Sequence, residues 1–340
     1  MIFLGVWGLG ESAVPGSSDG WIKPARHEGR RFYNENPDAL PGFFGMLKWA
    51  INRHPGSWHK YRDFPPGSPP LREVGRGELR VTFINHSTVL IQMDGLNILT
   101  DPIYSRRAGP VTWAGMGRVR PPGIRFEDLP PIHVVLLSHN HYDHMDMPTL
   151  VRLEKRDHPL VLAGLGNSRY LTGEGIMNVR EFDWGQGIAL NDSVRATFVP
   201  AQHFSMRKVY NRDATLWGGF VLEGKGTRVY FAGDTGWGPH LEEIHSRFGD
   251  FTLAILPIGA YKPEWFMGPA HLSPRDAVRA HQLLKARVSV PIHYGTFQLA
   301  DDAEEETAEE LRRAMKAAGI SDRAFWILGF GEGRNVPIVD

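Results

Sequence analysis

The sequence contains no cysteine, so disulfide bonds, thiolate metal ligands and cysteine-linked lipid anchors are all excluded. Any metal site in this protein must therefore be built from histidine, aspartate or glutamate side chains. The chain has 15 histidines, which is a generous supply of nitrogen ligands. Their positions along the chain are informative for that reason.

An excess of charge of one sign is also missing, because 38 Lys and Arg residues balance 38 Asp and Glu residues. No overall field favours nucleic acid or an anionic membrane. No stretch reaches the roughly 20 apolar residues that span a bilayer, and the apolar segment Met1–Gly10 lacks the basic start of a signal peptide. We expect a soluble, cytoplasmic protein that binds no nucleic acid, and the sequence leaves its oligomeric state open.

The 340 residues, 42% of them hydrophobic, suffice for one large domain or two small ones with a sizeable core. Residues 1–77 are rich in Gly, Pro and aromatics, and they include the extended stretch Pro65–Pro70. We interpret them as an N-terminal arm packed on a main domain of residues 78–340. Within the arm, Gly42–Ile51 predicts a short amphipathic helix.

The apolar side chains of this helix, Phe43, Phe44, Leu47 and Trp49, have two possible roles. They form either a lid and membrane-contact surface or a part of the packed core. Core packing is the favoured interpretation, because large apolar side chains are buried more often than exposed. Peripheral membrane contact is the alternative.

From Leu79 onward the pattern changes to short β-rich segments, and Asp94-Gly95 between two of them signals a hairpin turn. The predicted strands are Leu79–Ile84, Thr88–Met93, Leu96–Thr100, His133–Leu137, Val194–Val199, Gly219–Leu222, Arg228–Ala232, Leu253–Leu256 and Val288–Ile292. The predicted helices of this part are Met147–Glu154, Ala277–Lys285 with Ser273 as its N-cap, and Ala303–Ala318. This mixture predicts an α/β sandwich, in which helices cover two sheets.

Most of the chemistry lies in the segment Ser138–His144, directly after a buried strand. It places His139, His141, Asp143 and His144 within six residues. Three imidazoles and a carboxylate suit borderline or hard divalent metals such as zinc, manganese or iron. The alternative is a polar surface loop, but such a cluster directly after an apolar strand is improbable by chance.

Other potential ligands also follow predicted strands. His203, Asp234 and His293 each come after one, and Gly233 before the aspartate permits close approach of the backbone. A lone histidine after a strand is more often structural, but three such positions beside the first cluster favour a shared site. A two-metal hydrolytic site needs additional ligands and a bridging carboxylate. Because these three residues can supply them, we expect a dinuclear centre.

The order His-x-His-x-Asp-His, a distant His, an Asp in a Gly-Asp-Thr turn and a late His resembles the metallo-β-lactamase-fold superfamily. Within it, the sequence is similar to the N-acylphosphatidylethanolamine-hydrolysing phospholipase D group. The matching blocks lie between residue 79 and about residue 300: Asn85–Thr88, Leu99–Pro102, Arg118–Gly123, Leu137–Asp146, Pro200–Ser205, Thr215–Phe220, Tyr230–Gly236, Leu256–Met267 and Ile292–Phe297. Looser similarity at Arg31–Glu35 extends into the arm. The resemblance implies an αββα sandwich of two mixed β-sheets flanked by helices.

The resemblance also implies a ligand set for two divalent ions. One ion is held by His139, His141 and His203, the other by Asp143, His144 and His293, and Asp234 bridges both. Zinc is the expected metal, with manganese or iron(II) as alternatives. Two carboxylates leave an excess of positive charge on two divalent ions, which lowers the pKa of a bridging water and gives hydroxide near neutral pH.

Further residues are assigned around these ligands. By resemblance, Asp101 orients a ligand or supports the loop. His86, in a turn between strands, is either a support for the centre or a structural histidine. By resemblance, His271 contacts the substrate head group or donates a proton, and it joins Asp143 and Asp234 as an expected catalytic residue. The group typically has Gln before this histidine, and Ala270 in its place argues against the same ethanolamine head group.

The activity implied by the resemblance is that of a metal-dependent phosphodiesterase of the phospholipase D type, acting on a small-molecule or lipid substrate through a metal-bridging hydroxide. The superfamily also cleaves lactams, lactones and thioesters. A lactonase or other acyl hydrolase is therefore the alternative enzyme. A non-catalytic scaffold is a third class, and the complete ligand set argues against it.

Overall fold

The computed structural model describes residues 22–36, 40–111 and 113–338, so the segment Met1–Gly10 lies outside the described residues. The chain forms two large mixed β-sheets that pack face to face, with helices on their outer faces. This architecture is the αββα sandwich that the sequence predicts. In the described part of the chain, no helix is long and apolar enough to cross a membrane.

The strands, in chain order, are β1 (Arg26–Glu28), β2 (Arg31–Tyr33), β3 (Leu79–Asn85), β4 (Thr88–Met93), β5 (Leu96–Thr100), β6 (Arg107–Ala108), β7 (Met116–Gly117), β8 (Val134–Leu137), β9 (Leu160–Gly164), β10 (Val179–Phe182), β11 (Gly187–Ala189), β12 (Arg195–Val199), β13 (Gly219–Gly224), β14 (Thr227–Phe231), β15 (Leu253–Pro257), β16 (Val288–Ile292) and β17 (Gly333–Asn335). The α-helices are α1 (Phe43–Ile51), α2 (Met147–Asp157), α3 (Ser168–Thr172), α4 (His240–Phe248), α5 (Glu264–Met267), α6 (Pro274–Leu283) and α7 (Glu306–Ala317). Short 3-10 helices lie at Phe126–Asp128 and Val209–Asn211.

The larger sheet has seven strands in the order β10-β9-β8-β5-β4-β3-β17. Strands β10, β9, β8 and β5 are parallel neighbours, whereas β5, β4, β3 and β17 pair antiparallel. The other large sheet has six strands in the order β11-β12-β13-β14-β15-β16, antiparallel up to β14 and parallel from β14 to β16. The parallel strands β8 and β15 are apolar throughout, as expected for strands covered on both faces.

The space between the sheets is filled by aromatic and branched side chains, among them Phe83 of β3, Phe198 of β12 and Phe220 of β13, all fully buried. On the outer face of the larger sheet, Leu150 and Leu153 of α2 pack in a second apolar cluster. Helices α4, α6 and α7 add their buried faces to the smaller sheet. Burial of this apolar surface is the main stabilising contribution to the sandwich.

Two local sequence signals are confirmed. Asp94 and Gly95 have φ values of 48° and 79° and form the tight turn between β4 and β5. Ser273 is the N-cap of α6, where its hydroxyl accepts a hydrogen bond from the Asp276 backbone N–H at 3.2 Å. The carboxylate of Asp276 in turn accepts from the Ser273 N–H, so both ends of the capping box are formed.

The segment before β3 is attached to the sandwich by several hydrogen bonds. The Asp301 carboxylate accepts from Trp49 Nε1 at 3.2 Å and from Arg53 Nε at 2.9 Å. Farther along, the Gly67 N–H donates to the carbonyl of Gly123 at 2.7 Å. These contacts hold α1 against the loop after β16, and the extended stretch after α1 against the loop after β7.

The expectation that the apolar side chains of α1 are core residues is wrong. Phe43 is 67% exposed, Phe44 is 83% exposed and Leu47 is 45% exposed, and α1 contains no buried residue. The reason is that α1 contacts the domain mainly through Trp49, whose ring stacks on Phe266 with centroids 5.0 Å apart. The other apolar residues of the helix therefore face away from the sandwich.

Candidate metal centre

The candidate ligands all lie just after the carboxyl end of a strand. Asp101 follows β5, the cluster His139, His141, Asp143 and His144 follows β8, His203 follows β12, Asp234 follows β14 and His293 follows β16. Gly233, with φ of 61°, allows the loop after β14 to approach the loop after β8, since a Cβ there would lie 2.4 Å from Ser138 Cβ. The two sheets thus direct their loops to one point, where all of these side chains meet.

His139, His141 and His203, the three-histidine group, turn ring nitrogens toward one another. His139 Nε2 lies 2.7 Å from His141 Nδ1, and His203 Nε2 lies 3.4 Å from the same atom. The outer nitrogens have separate partners, because His139 Nδ1 is 2.9 Å from Ser138 Oγ and His203 Nδ1 is 3.0 Å from the carbonyl of Ala270. Such outer contacts fix ring orientation and leave the inner nitrogens for a cation.

Asp143, His144 and His293 form the mixed group. The Asp143 Oδ2 atom lies 3.2 Å from His144 Nε2 and 3.4 Å from His293 Nε2. On its other side, His144 Nδ1 is 2.7 Å from Asp101 Oδ2. Asp101 also accepts from the Ser138 N–H at 2.8 Å. This buried aspartate therefore orients His144 and anchors the start of the ligand loop, as expected.

Asp234 lies between the two groups. Its Oδ2 atom is 3.0 Å from His293 Nε2 and 3.2 Å from His144 Nε2. The same oxygen is 3.8 Å from His203 Nε2 and 4.0 Å from His139 Nε2. One carboxylate thus faces nitrogens of both groups, which is the placement that a bridging ligand requires.

Burial lowers the pKa of every imidazole in the three-histidine group. The pKa values of His139 and His203 fall well below the ordinary value, and that of His141 falls to about 4. Removal of the rings from water disfavours the charged form, and neighbouring imidazoles such as His144 add to the effect at His139. These three rings are therefore neutral, the form in which imidazole binds metal.

The mixed group shows the opposite shift. Burial lowers the pKa of His144 and His293, but nearby carboxylates, Asp234 first among them, outweigh it. The pKa of His144 is raised well above its ordinary value and that of His293 rises to about 9. Burial likewise raises the pKa of Asp143 and Asp234, but their imidazole neighbours hold both well below the ordinary value. The two carboxylates thus favour positive charge in this group, and a divalent ion bound by neutral rings would supply it.

Several buried polar atoms of the centre form no hydrogen bond within the described residues. Four of them are His144 Nε2, His293 Nε2, Asp234 Oδ1 and His271 Nδ1. An unpartnered buried donor or acceptor costs about 1–3 kcal/mol, so four in one place call for a ligand. Imidazole nitrogens and carboxylate oxygens suit a divalent ion such as zinc, and the residues present fit such a group.

His271 lies beside this centre, in the loop that connects α5 to α6. Its Nδ1 atom is 3.9 Å from Asp234 Oδ2, and its ring packs edge-on against His203 with centroids 5.1 Å apart. Burial lowers the pKa of His271 to about 4, so the free imidazole is neutral. The structure therefore brings this residue together with the predicted ligands.

One residue that positions the site was missed by sequence reasoning. Asn34, directly after β2, is buried, and its side chain donates to the His203 carbonyl at 2.8 Å and accepts from the His203 N–H at 3.1 Å. It also accepts from Trp217 Nε1 at 3.1 Å. The looser family similarity at Arg31–Glu35 is the sequence signal that points to this residue.

Of the aromatic residues in and around α5, Tyr261 is fully buried, whereas Trp265 is 48% exposed. Phe266 lies between these extremes and packs against Trp265 and Trp49. Tyr261 is therefore a core residue, while Trp265 and Phe266 belong to the surface that α5 shares with α1.

Comparison with known proteins agrees with this geometry. A family profile described as "Beta-lactamase superfamily domain" matches residues 96–294. An uncharacterized protein of Mycobacterium tuberculosis is 35% identical over 281 residues, 81% of this chain and 74% of that protein. The N-acyl-phosphatidylethanolamine-hydrolyzing phospholipase D 1 of Caenorhabditis elegans is 34% identical over 266 residues, 75% of each chain.

A solved structure shares the fold. The metallo hydrolase Igni18 from the archaeon Ignicoccus hospitalis superposes with a TM-score of 0.57 at 22% identity, over 76% of this chain and 98% of that protein. The family match spans β5 to the loop after β16 and so includes every candidate ligand. The chain therefore belongs to the metallo-β-lactamase-fold superfamily of metal-dependent hydrolases, and it resembles the N-acylphosphatidylethanolamine-hydrolysing phospholipase D group within it.

Proposed function

We propose that this protein is a dinuclear metal-dependent phosphodiesterase of the phospholipase D type, with a lipid as its substrate. The observation that carries the proposal is the position of Asp234, whose Oδ2 atom lies within 4.0 Å of nitrogens from both ligand groups. Seven potential ligands exceed what one tetrahedral ion can use. The phosphodiester substrate is supported by the activity for which the Caenorhabditis elegans relative is named.

In this proposal, His139, His141 and His203 hold one ion, and Asp143, His144 and His293 hold the other, with Asp234 shared. Zinc ions in these positions would supply Lewis acidity and lower the pKa of a nucleophilic water. The protein itself contributes orientation, because Asp101, Ser138 and the Ala270 carbonyl fix the imidazole rings from outside.

His271 is the proposed contact to the substrate. Its Nδ1 atom faces Asp234 and has no hydrogen-bond partner among the described residues. With one ring nitrogen protonated, the imidazole can donate a hydrogen bond to a phosphate oxygen as charge develops there. Ala270 contributes its carbonyl to His203 but has only a methyl side chain. We therefore expect a head group other than ethanolamine.

The lipid character of the substrate is supported by the surface beside His271. Phe43, Phe44 and Leu47 of α1 are exposed, and α1 rests on α5 through the stacked rings of Trp49 and Phe266. The last residue of α5, Met267, accepts the His271 N–H at 3.0 Å. An apolar surface so close to the site would contact a membrane peripherally.

A substrate panel tests the activity. The purified full chain, supplied with Zn²⁺ or Mn²⁺, should hydrolyse bis(p-nitrophenyl) phosphate and the phosphodiester of a glycerophospholipid on the head-group side. Asp234→Asn is the matched control, because it keeps side-chain volume and removes the shared charge. Efficient hydrolysis of acyl-homoserine lactones without detectable phosphodiester cleavage would replace the proposal by a lactonase.

Co-sedimentation with phosphatidylcholine vesicles tests the membrane contact. The parent should pellet with the vesicles, and the double variant Phe43→Ser, Phe44→Ser should remain in the supernatant. Met177→Ser, which removes a side chain that is 69% exposed on another part of the surface, is the control and should pellet like the parent. Equal pelleting of the parent and the double variant would rule out α1 as the contact.

A further inference from the structure

We infer that His86 is a positioning residue that holds Asp143 in place for the ion of the mixed group. The inference rests on the proposed dinuclear centre and adds a residue to it. His86 lies in the turn between β3 and β4, and its side chain is 1% exposed. Its Nε2 atom is 2.9 Å from Asp143 Oδ2, the shortest contact of that carboxylate oxygen with an imidazole among the described residues.

The position of His86 distinguishes it from the predicted ligands. His144 and His293 each approach both carboxylates, Asp143 and Asp234, within 3.4 Å. Within the described residues, His86 approaches Asp143 alone and has no contact with Asp234 within 4.0 Å. The Asp143 oxygen that faces His144 and His293 is therefore also held by His86, a contact that Asp234 lacks.

The backbone of His86 is fixed to the loop that carries His293. Its N–H donates to Thr296 Oγ1 at 3.1 Å, and its carbonyl accepts the His293 N–H at 2.8 Å. The rings of His86 and His293 are 4.2 Å apart, and Phe297 packs edge-on against His86. One residue therefore joins two members of the mixed group, Asp143 through its side chain and His293 through its backbone.

The direction of the hydrogen bond between His86 and Asp143 follows from the chemistry of the acceptor. A carboxylate can only accept, so His86 Nε2 carries the proton and donates to Asp143 Oδ2. In the neutral imidazole Nδ1 is then bare, and this atom has no hydrogen-bond partner within the described residues. The bond to Asp143 is thus the only hydrogen bond of the side chain there. Supporting contacts of this kind change metal affinity by about 10- to 100-fold when removed.

The backbone conformation of His86 determines which substitutions can test its side chain. His86 has φ of 47°, in the left-handed region that Asn adopts readily. His86→Asn therefore suits the backbone, but its amide nitrogen falls one bond short of the position of Nε2. His86→Gln places an amide nitrogen the same number of bonds from Cα as Nε2 and restores the donor. The matched control is His281→Asn, which removes another buried imidazole, bonded to Ser289 Oγ at 2.8 Å and remote from the centre.

The experiment is a titration of the metal-stripped full chain with Co²⁺, followed by the visible d–d absorption. The parent and His281→Asn should bind two ions. His86→Asn should bind the first ion as the parent does and the second about 10- to 100-fold more weakly. His86→Gln should recover most of that affinity with the parent's spectrum. Thermal unfolding without metal identifies a variant that merely fails to fold.

Two results would overturn the inference. If His86→Asn binds both ions like the parent, the residue has no role at the centre. If both variants lose the second ion equally and the remaining spectrum changes, His86 is itself a ligand. A parent that binds only one ion contradicts the proposed dinuclear function instead. Because the readout is metal binding, failure to cleave phosphodiesters would leave this inference untouched.

Discussion

The three-histidine group and the mixed group are alike in burial and differ in charge. His139, His141 and His203 are neutral rings, and the shared Asp234 lies within 4.0 Å of the Nε2 atoms of His139 and His203. In the mixed group, Asp143 lies within 3.4 Å of both imidazole nitrogens, and Asp101 lies behind His144. The same strand-end architecture therefore offers a nitrogen-rich site beside a carboxylate-rich one.

This difference predicts different metal preferences. Neutral imidazoles suit zinc, whereas carboxylates favour harder ions such as manganese. An ion in the three-histidine group should therefore resist replacement by Mn²⁺, and an ion in the mixed group should exchange more readily. The variants that follow separate the two groups, beginning with the residue that they share.

The largest effect is expected for Asp234→Asn. The amide keeps the shape of the side chain but removes the charge that both groups need, so turnover should fall below detection and both ions should be held weakly. Elemental analysis of protein purified without chelator checks the metal content, which should approach two ions for the parent. Wild-type activity in this variant would show that Asp234 is not the shared ligand.

The next largest effects on metal content are expected for variants that each remove one ligand from a single group. His203→Ala should remove the ion of the three-histidine group, and His293→Ala should remove the ion of the mixed group, so each variant should retain about one ion per chain. Co²⁺ spectra of the two variants should differ, with a nitrogen-rich pattern in His293→Ala. Loss of both ions from either variant would mean that the groups fill only together.

Local signals made much of this centre predictable. The ligands follow strands that are apolar enough to recognise, and β4, β5 and β16 match their predicted bounds. Helix α4 is not apparent from the sequence, because it begins after Pro239 without a side-chain cap. Its buried residues are one histidine, two aliphatic residues and one phenylalanine. Propensity alone does not distinguish such a short helix from a loop.

Features that depend on contacts between distant parts of the chain were harder to predict from the sequence. The exposure of Phe43 and Phe44 depends on what α1 packs against, and its amphipathic pattern alone does not specify a partner. Asn34 lies 169 positions from His203, so its role is determined by how the strands assemble. The same holds for His86, whose partner Asp143 lies 57 positions away. Sequence pattern identified the chemical groups, whereas their supporting contacts required the fold.

A smaller effect is expected for Asn34→Ala, which should weaken the three-histidine group alone. The change leaves the buried N–H and carbonyl of His203 without their partner, at a cost of about 1–3 kcal/mol in stability. Affinity for the corresponding ion should fall by about tenfold. Asn191→Ala is the control, because that asparagine also makes three hydrogen bonds, at a surface turn. Equal losses in the two variants would show a general stability effect only.

The smallest effect on metal binding is expected for His271→Ala, because neither ion uses this residue in the proposed assignment. In that assignment its role would lie in the reaction, where a hydrogen bond from the imidazole to the departing oxygen would stabilise developing charge. A good aryl leaving group hardly needs that help, whereas an alkoxide does. The loss of kcat in His271→Ala should therefore be larger for alkyl phosphodiesters than for p-nitrophenyl ones, with two ions still bound. His271→Gln, which keeps an N–H donor, should recover part of the alkyl rate. An equal loss across leaving groups would assign His271 to substrate binding alone, and an unchanged rate would remove it from the site.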